Sequence, residues 1–159
     1  MDDIQKIATR EQILCMEDLL LSQPDSVVGD SDRCPLTHYF TNGIYVRKIE
    51  IPAGTPLVGK IHRHEHPNFL LSGTVRMATE FGVTEITGPQ LMISPAGVKR
   101  ALFAVTDLVW VTVHHNPTNT RNLEAIEKEV IVKDYETFDY EKLSFVGKIT
   151  LIFKKLLTK

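Results

Sequence analysis

The stretch from Leu36 to His115 constrains the fold more than any other part of the chain, because short strand-like runs alternate there with turn residues. The runs are rich in Val, Ile, Thr and aromatic residues, and they predict strands at 37–40, 44–51, 57–64, 69–80, 84–87, 90–94, 98–105 and 108–115. Asn42-Gly43 predicts a two-residue hairpin turn, because both residues tolerate positive φ. Strands at this spacing predict a closed sandwich or barrel, since parallel βαβ units would need helices between the strands.

The segments that flank this stretch have a different character. A helix is predicted over 4–21, where apolar residues including Ile4 and Ile7 recur along one face, and a loop rich in Pro, Gly, Ser and Asp follows it. A second, short helix is predicted over 123–131. The chain is therefore divided into three parts: an N-terminal helix and loop (1–35), a β-barrel (36–116) and a C-terminal helical extension (117–159).

The tail over 146–159 is both basic and apolar. If it is helical, one apolar stripe forms along it from Ile149, Ile152, Phe153 and Leu156. We expect this stripe to dock on its own barrel or on a second subunit, because an isolated helix of this length is marginal in water. Our hypothesis is that the tail helps hold a homo-oligomer; the alternative is that it lies on an anionic membrane.

Composition excludes several classes of protein. The net charge of −2 argues against a general nucleic-acid binder. No apolar run approaches the ~18 residues that span a bilayer, and the acidic start of the sequence lacks the apolar core of a signal peptide. Cys15 and Cys34 are too few for a disulfide scaffold, so we expect a reducing compartment and a cytoplasmic protein.

The densest chemical signal is a group of histidines at alternate positions, His62, His64 and His66. On a strand, His62 and His64 would share a face about 6.5–7 Å apart, which lets two imidazoles converge on one metal ion. His62 and His66 would be about 13 Å apart on a straight strand, so His66 joins only if the chain turns after His64, which Pro67 favours. The alternative is that the histidines sit at a strand end in contact with solvent.

Two motifs resemble those of the cupin superfamily. Gly59-Lys-Ile-His62-Arg-His64, leading to Phe69-Leu-Leu-Ser-Gly73, resembles the first motif, and Gly88-Pro-Gln-Leu-Met-Ile-Ser-Pro95-Ala-Gly97 resembles the second. The resemblance covers about residues 44–115 and implies a mainly β fold, a single double-stranded β-barrel (jelly roll) of the RmlC-like cupin type with a metal or ligand site inside. Most of the chain is also similar to a group of small cupin-like proteins of phages and bacteria that has no settled activity.

The motifs also depart from the cupin pattern. His66 stands where the cupin glutamate belongs, and Arg100, which cannot ligate a metal, stands where a fourth ligand histidine belongs. The resemblance implies one divalent ion (Fe, Mn, Ni or Zn) held by His62, His64 and His66, with His114 as a replacement ligand. Alternatively, Lys99 and Arg100 bind an anion, with Tyr39 as a further candidate ligand contact.

These features predict a metal-binding cupin that holds a small, anionic molecule in its barrel or runs a metal-assisted reaction on it. The sequence leaves open whether the protein is an enzyme. One alternative is a non-enzymatic binding or assembly protein that keeps the barrel as a scaffold, and another is a metal-free anion binder that uses Lys99 and Arg100. By analogy with cupins, we expect a homodimer.

Overall fold

The structure, a computed structural model, describes residues 10–157. Its helices are α1 (Arg10–Leu21), α2 (Leu123–Val130), α3 (Tyr135–Lys142) and α4 (Phe145–Leu157). Its strands are β1 (Leu36–Thr41), β2 (Gly43–Ile51), β3 (Pro56–Val58), β4 (Ile61–His62), β5 (His66–Ser72), β6 (Thr74–Thr79), β7 (Gly82–Thr87), β8 (Gln90–Ser94), β9 (Ala101–Ala104), β10 (Leu108–Asn116) and β11 (Ile131–Val132). Within these residues, no helix combines the length and the apolar character needed to cross a membrane.

Two antiparallel sheets form the barrel. One has the strand order β1-β2-β10-β5-β8, and the other has the order β3-β9-β6-β7. The alternation of side chains along each strand sends one set inward, and the core between the sheets includes Leu70, Val75, Leu108 and Trp110. The prediction of a mainly β barrel with helices at both ends is therefore confirmed.

The predicted hairpin at Asn42-Gly43 joins β1 and β2, with Thr41 opposite Ile44. Two of the predicted strand runs are each divided in the structure. The run 69–80 is broken between β5 and β6 at Gly73, where φ is +90° and an added Cβ would lie 2.1 Å from the carbonyl oxygen of Asp107. The chain can turn there only because glycine tolerates positive φ and has no Cβ.

The run 57–64 is divided into β3 and β4, and β4 ends at His62. β4 pairs with β11, where Ile131 lies opposite His62. Helix α2 begins after its N-cap Asn122, whose side chain accepts a hydrogen bond from the Ala125 amide, and it ends at Val130, next to β11. A segment of the C-terminal extension thus pairs with the short strand that carries His62.

Helix α1 packs against β3, β6 and β9 and buries Ile13. Arg10 holds its first turn in place through ion pairs with Glu80 and Asp139. The first part of the predicted helix, residues 4–9 with Ile4 and Ile7, lies outside the described residues. The described helix ends at Leu21, as the sequence predicts.

Helix α4 carries the predicted apolar stripe, which faces solvent. The side chains of Ile149, Ile152, Phe153 and Leu156 are 39–66% exposed. Outside this stripe, Lys155 of the same helix forms an ion pair with Glu136 of α3. Packing of the stripe on the chain's own barrel, one of the two docking arrangements expected from the sequence, is therefore not what the structure has.

Candidate metal centre

Three buried histidines from three strands converge inside the barrel: His62 at the end of β4, His66 at the start of β5, and His114 in β10. These residues are 7%, 3% and 6% exposed, respectively. The ring centroids are 4.2 Å apart for His62 and His66, 4.7 Å for His66 and His114, and 5.1 Å for His62 and His114. One nitrogen from each ring lies within 4.8 Å of the others, so the three could hold a single ion.

The local fold explains why His66 belongs to this cluster. The chain bends over 63–65, directly after β4, so that β5 starts back beside His62 instead of continuing the strand. The bend therefore comes earlier than the sequence indicated. His64 lies in the bend with its side chain exposed, outside the cluster, and its carbonyl oxygen accepts a hydrogen bond of 3.0 Å from Nδ1 of His66.

The position of His114 follows from the alternation along β10. Trp110, Thr112 and His114 point inward, whereas His115 is exposed on the outer face. The ring of Tyr45, opposite His114 in β2, stacks on the His114 imidazole with centroids 6.0 Å apart. This packing holds the orientation of the third imidazole.

The barrel interior keeps the three rings neutral. Burial lowers the pKa of all three histidines, to about 3 for His114, and the neighbouring imidazoles lower the pKa of His62 and His114 further. Neutral imidazole is the form that ligates metals, because protonation removes the lone pair.

The hydrogen bonds around the cluster leave nitrogens available for an ion. His66 donates its Nδ1 proton to the backbone, which fixes the tautomer whose Nε2 carries the lone pair. Nε2 of His66 and both ring nitrogens of His62 are buried without a hydrogen-bond partner. Buried polar atoms are rarely left unpaired, so these orphan nitrogens fit a bound metal ion.

A cavity of about 430 Å³ reaches the cluster at His62. Arg100 and Arg47 line it, together with Asn68, Trp110 and Thr112. Trp110 donates a 3.0 Å hydrogen bond from its indole nitrogen to Oδ1 of Asn68, which fixes both side chains in the wall. Burial lowers the pKa of Arg100, whose guanidinium is shielded from bulk water.

The other two predicted ligand contacts do not line this cavity. Lys99 is 5% exposed, is absent from the cavity lining and forms a 2.7 Å ion pair with Glu17 of α1. Tyr39 is exposed on β1, opposite Val46 of β2. Of the three residues that the sequence predicts to bind an anion, only Arg100 therefore lines the cavity.

Arg47 is a cavity residue that sequence reasoning missed. It occupies the same parity of β2 as Tyr45, Ile49 and Ile51, which point toward the interior. A cation at an inward position of an amphipathic strand was the available signal, since such a position normally holds an apolar side chain.

No family model matches the chain, and no curated protein matches its sequence. Among solved structures, salicylate 1,2-dioxygenase from Pseudoaminobacter salicylatoxidans matches with a TM-score of 0.52 at 13% identity, over 82% of this chain and 39% of that chain. An RmlC-like cupin from Shewanella frigidimarina matches with a TM-score of 0.48 at 14% identity, over 65% of this chain and 93% of that one. The cupin domain of Cnp3 from Schizosaccharomyces pombe gives 0.46 and 13%, over 67% and 78%. These likenesses concern the fold alone, and the two antiparallel sheets agree with the jelly-roll barrel that the sequence motifs indicated.

Proposed function

We propose that this cupin-fold protein binds one divalent metal ion through His62, His66 and His114. The observation that carries the proposal is the convergence of three buried imidazoles whose ligand nitrogens lie within 4.8 Å of one another. Three protein ligands leave coordination positions open for a small molecule, which is the usual arrangement of a catalytic zinc site. His64, which the sequence had placed among the ligands, is replaced in this proposal by His114.

The proposed role is to hold a small, anionic molecule in the adjoining cavity or to assist a reaction on it. A bound ion would supply Lewis acidity to a ligand oxygen. The chain's own contribution is a shielded pocket in which Arg100 offers a permanent positive charge and a planar fork for an oxyanion. Iron, manganese, nickel and zinc all accept imidazole ligands, so metal analysis has to identify the ion.

Metal content tests this proposal directly. Protein purified without a polyhistidine tag, from metal-replete medium, should contain one metal ion per chain by elemental analysis. His66→Ala and His114→Ala should lose the ion, because each removes one of three ligands. His64→Ala is the matched control and should retain it, since its side chain lies outside the cluster.

Two results would contradict the proposal. One is wild-type protein that stays metal-free after growth in metal-replete medium and after titration with Zn²⁺, Fe²⁺, Mn²⁺ and Ni²⁺. The other is a His64→Ala variant that loses as much metal as His66→Ala. Circular dichroism should accompany each variant, so that loss of metal is not mistaken for loss of fold.

We also propose that the chain forms a homo-oligomer, which would suit an assembly role. Two apolar surfaces support this: the exposed stripe of α4, and the edge strand β8, where Leu91 and Ile93 are 55% and 56% exposed. Contiguous exposed apolar patches commonly mark protein interfaces. The free thiols of Cys15 and Cys34 support a reducing, cytoplasmic location.

A further inference from the structure

The cavity beside the histidine cluster has two chemically different ends. Its inner wall presents polar groups, including His62, Arg47 and Arg100. The rest of the lining is predominantly apolar, with Leu20 and Leu21 of α1, Val27 and Val28 of the following loop, and Leu57 and Val58 of β3, and it also contains polar side chains such as Gln23 and Ser26. A molecule with a polar head group and an apolar body can therefore place the head group at the arginines and the body against these apolar side chains.

Among the described residues, the charges that line the cavity do not cancel. Arg33 is paired with Asp25, and Lys60 is paired with Glu127 outside the cavity wall. The remaining lining carboxylate, Glu17, is taken by Lys99.

This leaves the guanidinium groups of Arg47 and Arg100 without a carboxylate partner in the described chain. Both act on the cluster, since the positive charge of each lowers the pKa of His62 and His66. Two unpaired cations in a partly buried cavity call for an anion from outside.

We propose that the cavity binds a monocarboxylate with an apolar tail, whose carboxylate is held between Arg47 and Arg100 beside His62 while the tail lies against α1, β3 and the loop at Val27 and Val28. The inference deepens the proposed function, on which it rests for the ligand's role, because it names the chemical class that occupies the same cavity. The volume of about 430 Å³ lies in the range of small-molecule sites.

The chemistry of the two ends selects this class over others. A guanidinium fork matches the two oxygens of a carboxylate, and two such groups exclude a cationic head group by repulsion. A small inorganic anion such as phosphate would satisfy the arginines but would leave the apolar wall in contact with water. A neutral alcohol would leave both charges unpaired.

The test uses the full-length protein, stripped of metal with a chelator, and isothermal titration calorimetry. Octanoate should bind, and its affinity should rise about fourfold for each CH₂ added from butyrate to octanoate, because each methylene leaves water. Octylammonium, octanol and inorganic phosphate should each bind at least tenfold more weakly than octanoate. Equal affinity for any of these three, or an affinity that does not depend on chain length, would overturn the proposal.

Variants assign the head-group site. Arg47→Gln and Arg100→Gln should each weaken octanoate binding about 10- to 100-fold, because each removes a charged hydrogen-bond donor. Arg33→Gln is the matched control: it lines the same cavity but is 60% exposed and already paired, so its affinity should stay within twofold of the wild type. Octanoate binding that survives both arginine substitutions would refute the assignment, and the comparison of head groups on wild-type protein does not depend on how well the variants fold.

Failure of this inference can be told apart from failure of the metal proposal. His66→Ala should lose metal but keep octanoate binding in the chelator-treated state, because His66 does not line the cavity. Protein that binds octanoate through both arginines but never binds metal would refute the metal site and support the carboxylate site. Protein that binds metal but not octanoate would support the metal site and refute the carboxylate site.

Discussion

Replacing His62 with leucine should make the metal-free protein more stable while it abolishes metal binding. His62 is 7% exposed, and both of its ring nitrogens are buried without a hydrogen-bond partner. Each unpaired buried polar group costs about 1–3 kcal/mol, so the two nitrogens together destabilise the metal-free fold by about 2–6 kcal/mol. A leucine of similar volume packs imperfectly, which reduces that gain by less than about 1.5 kcal/mol. The net expected gain in the free energy of unfolding is about 0.5–6 kcal/mol.

The difference in stability between the two proteins should move in favour of the wild type when metal is present. An ion at 100 times its dissociation constant should stabilise the wild type by about 2.7 kcal/mol and the His62→Leu variant not at all. The assay is urea unfolding at pH 7.5, with and without chelator, read by circular dichroism and fitted with a common slope. His64→Leu is the control, and it should change stability by less than about 0.5 kcal/mol because its side chain is exposed.

The reasoning would be refuted if the chelator-treated His62→Leu variant were less stable than the wild type by more than about 1 kcal/mol. The two nitrogens would then be satisfied in solution, and the case for an ion at the cluster would lose its main support. An equal response of wild type and variant to metal would contradict the ligand assignment itself.

Three further outcomes follow from other parts of the molecule. Glu17→Gln should cost about 3–5 kcal/mol in urea unfolding, because it leaves the Lys99 ammonium, 6% exposed, without its counter-charge; a loss below about 1 kcal/mol, as for an exposed pair, would contradict this. Lowering the pH of metal-free protein from 6.5 toward 3 should reduce stability, since the pKa of His114 is about 3 when folded against 6.5 when unfolded, and the unfolded chain takes up the proton first. His114→Gln should flatten that pH dependence. If the slope of stability against pH were unchanged in this variant, His114 would not be its cause. Deleting residues 146–159 should lower the oligomer mass in light scattering without loss of the β-rich spectrum; an unchanged mass would remove the tail from assembly.

Several features of the fold were predictable because they depend on local patterns. Alternation with a period of two depends only on neighbouring residues, so the strand runs could be located before the sheets were known. The same alternation places Trp110 and His114 on one face of a strand and His115 on the other. Turn residues also act locally, which is why the hairpin at Asn42-Gly43 was found, although only Gly43 adopts positive φ there.

The composition of the site depended on where strands end and which strands become neighbours. Spacing along a straight strand separates His62 from His66 by about 13 Å, but their ring centroids are 4.2 Å apart because β4 stops at His62 and the chain bends back. That bend lies beside the pairing of β4 with β11, a strand nearly seventy residues further along the chain, which no local pattern around His62 reveals.

The arginine pair shows the same division. The sequence by itself determined that Arg100 follows the second cupin-like motif and that it lies between segments whose side chains alternate in direction along predicted strands. Only the tertiary structure decided that Lys99 meets Glu17 of α1, while Arg47 of β2 lines the same cavity as Arg100. Charge pairing is a long-range property: which cations remain without a partner is settled only after every element has packed, because each carboxylate can be taken by whichever cation the fold brings within reach.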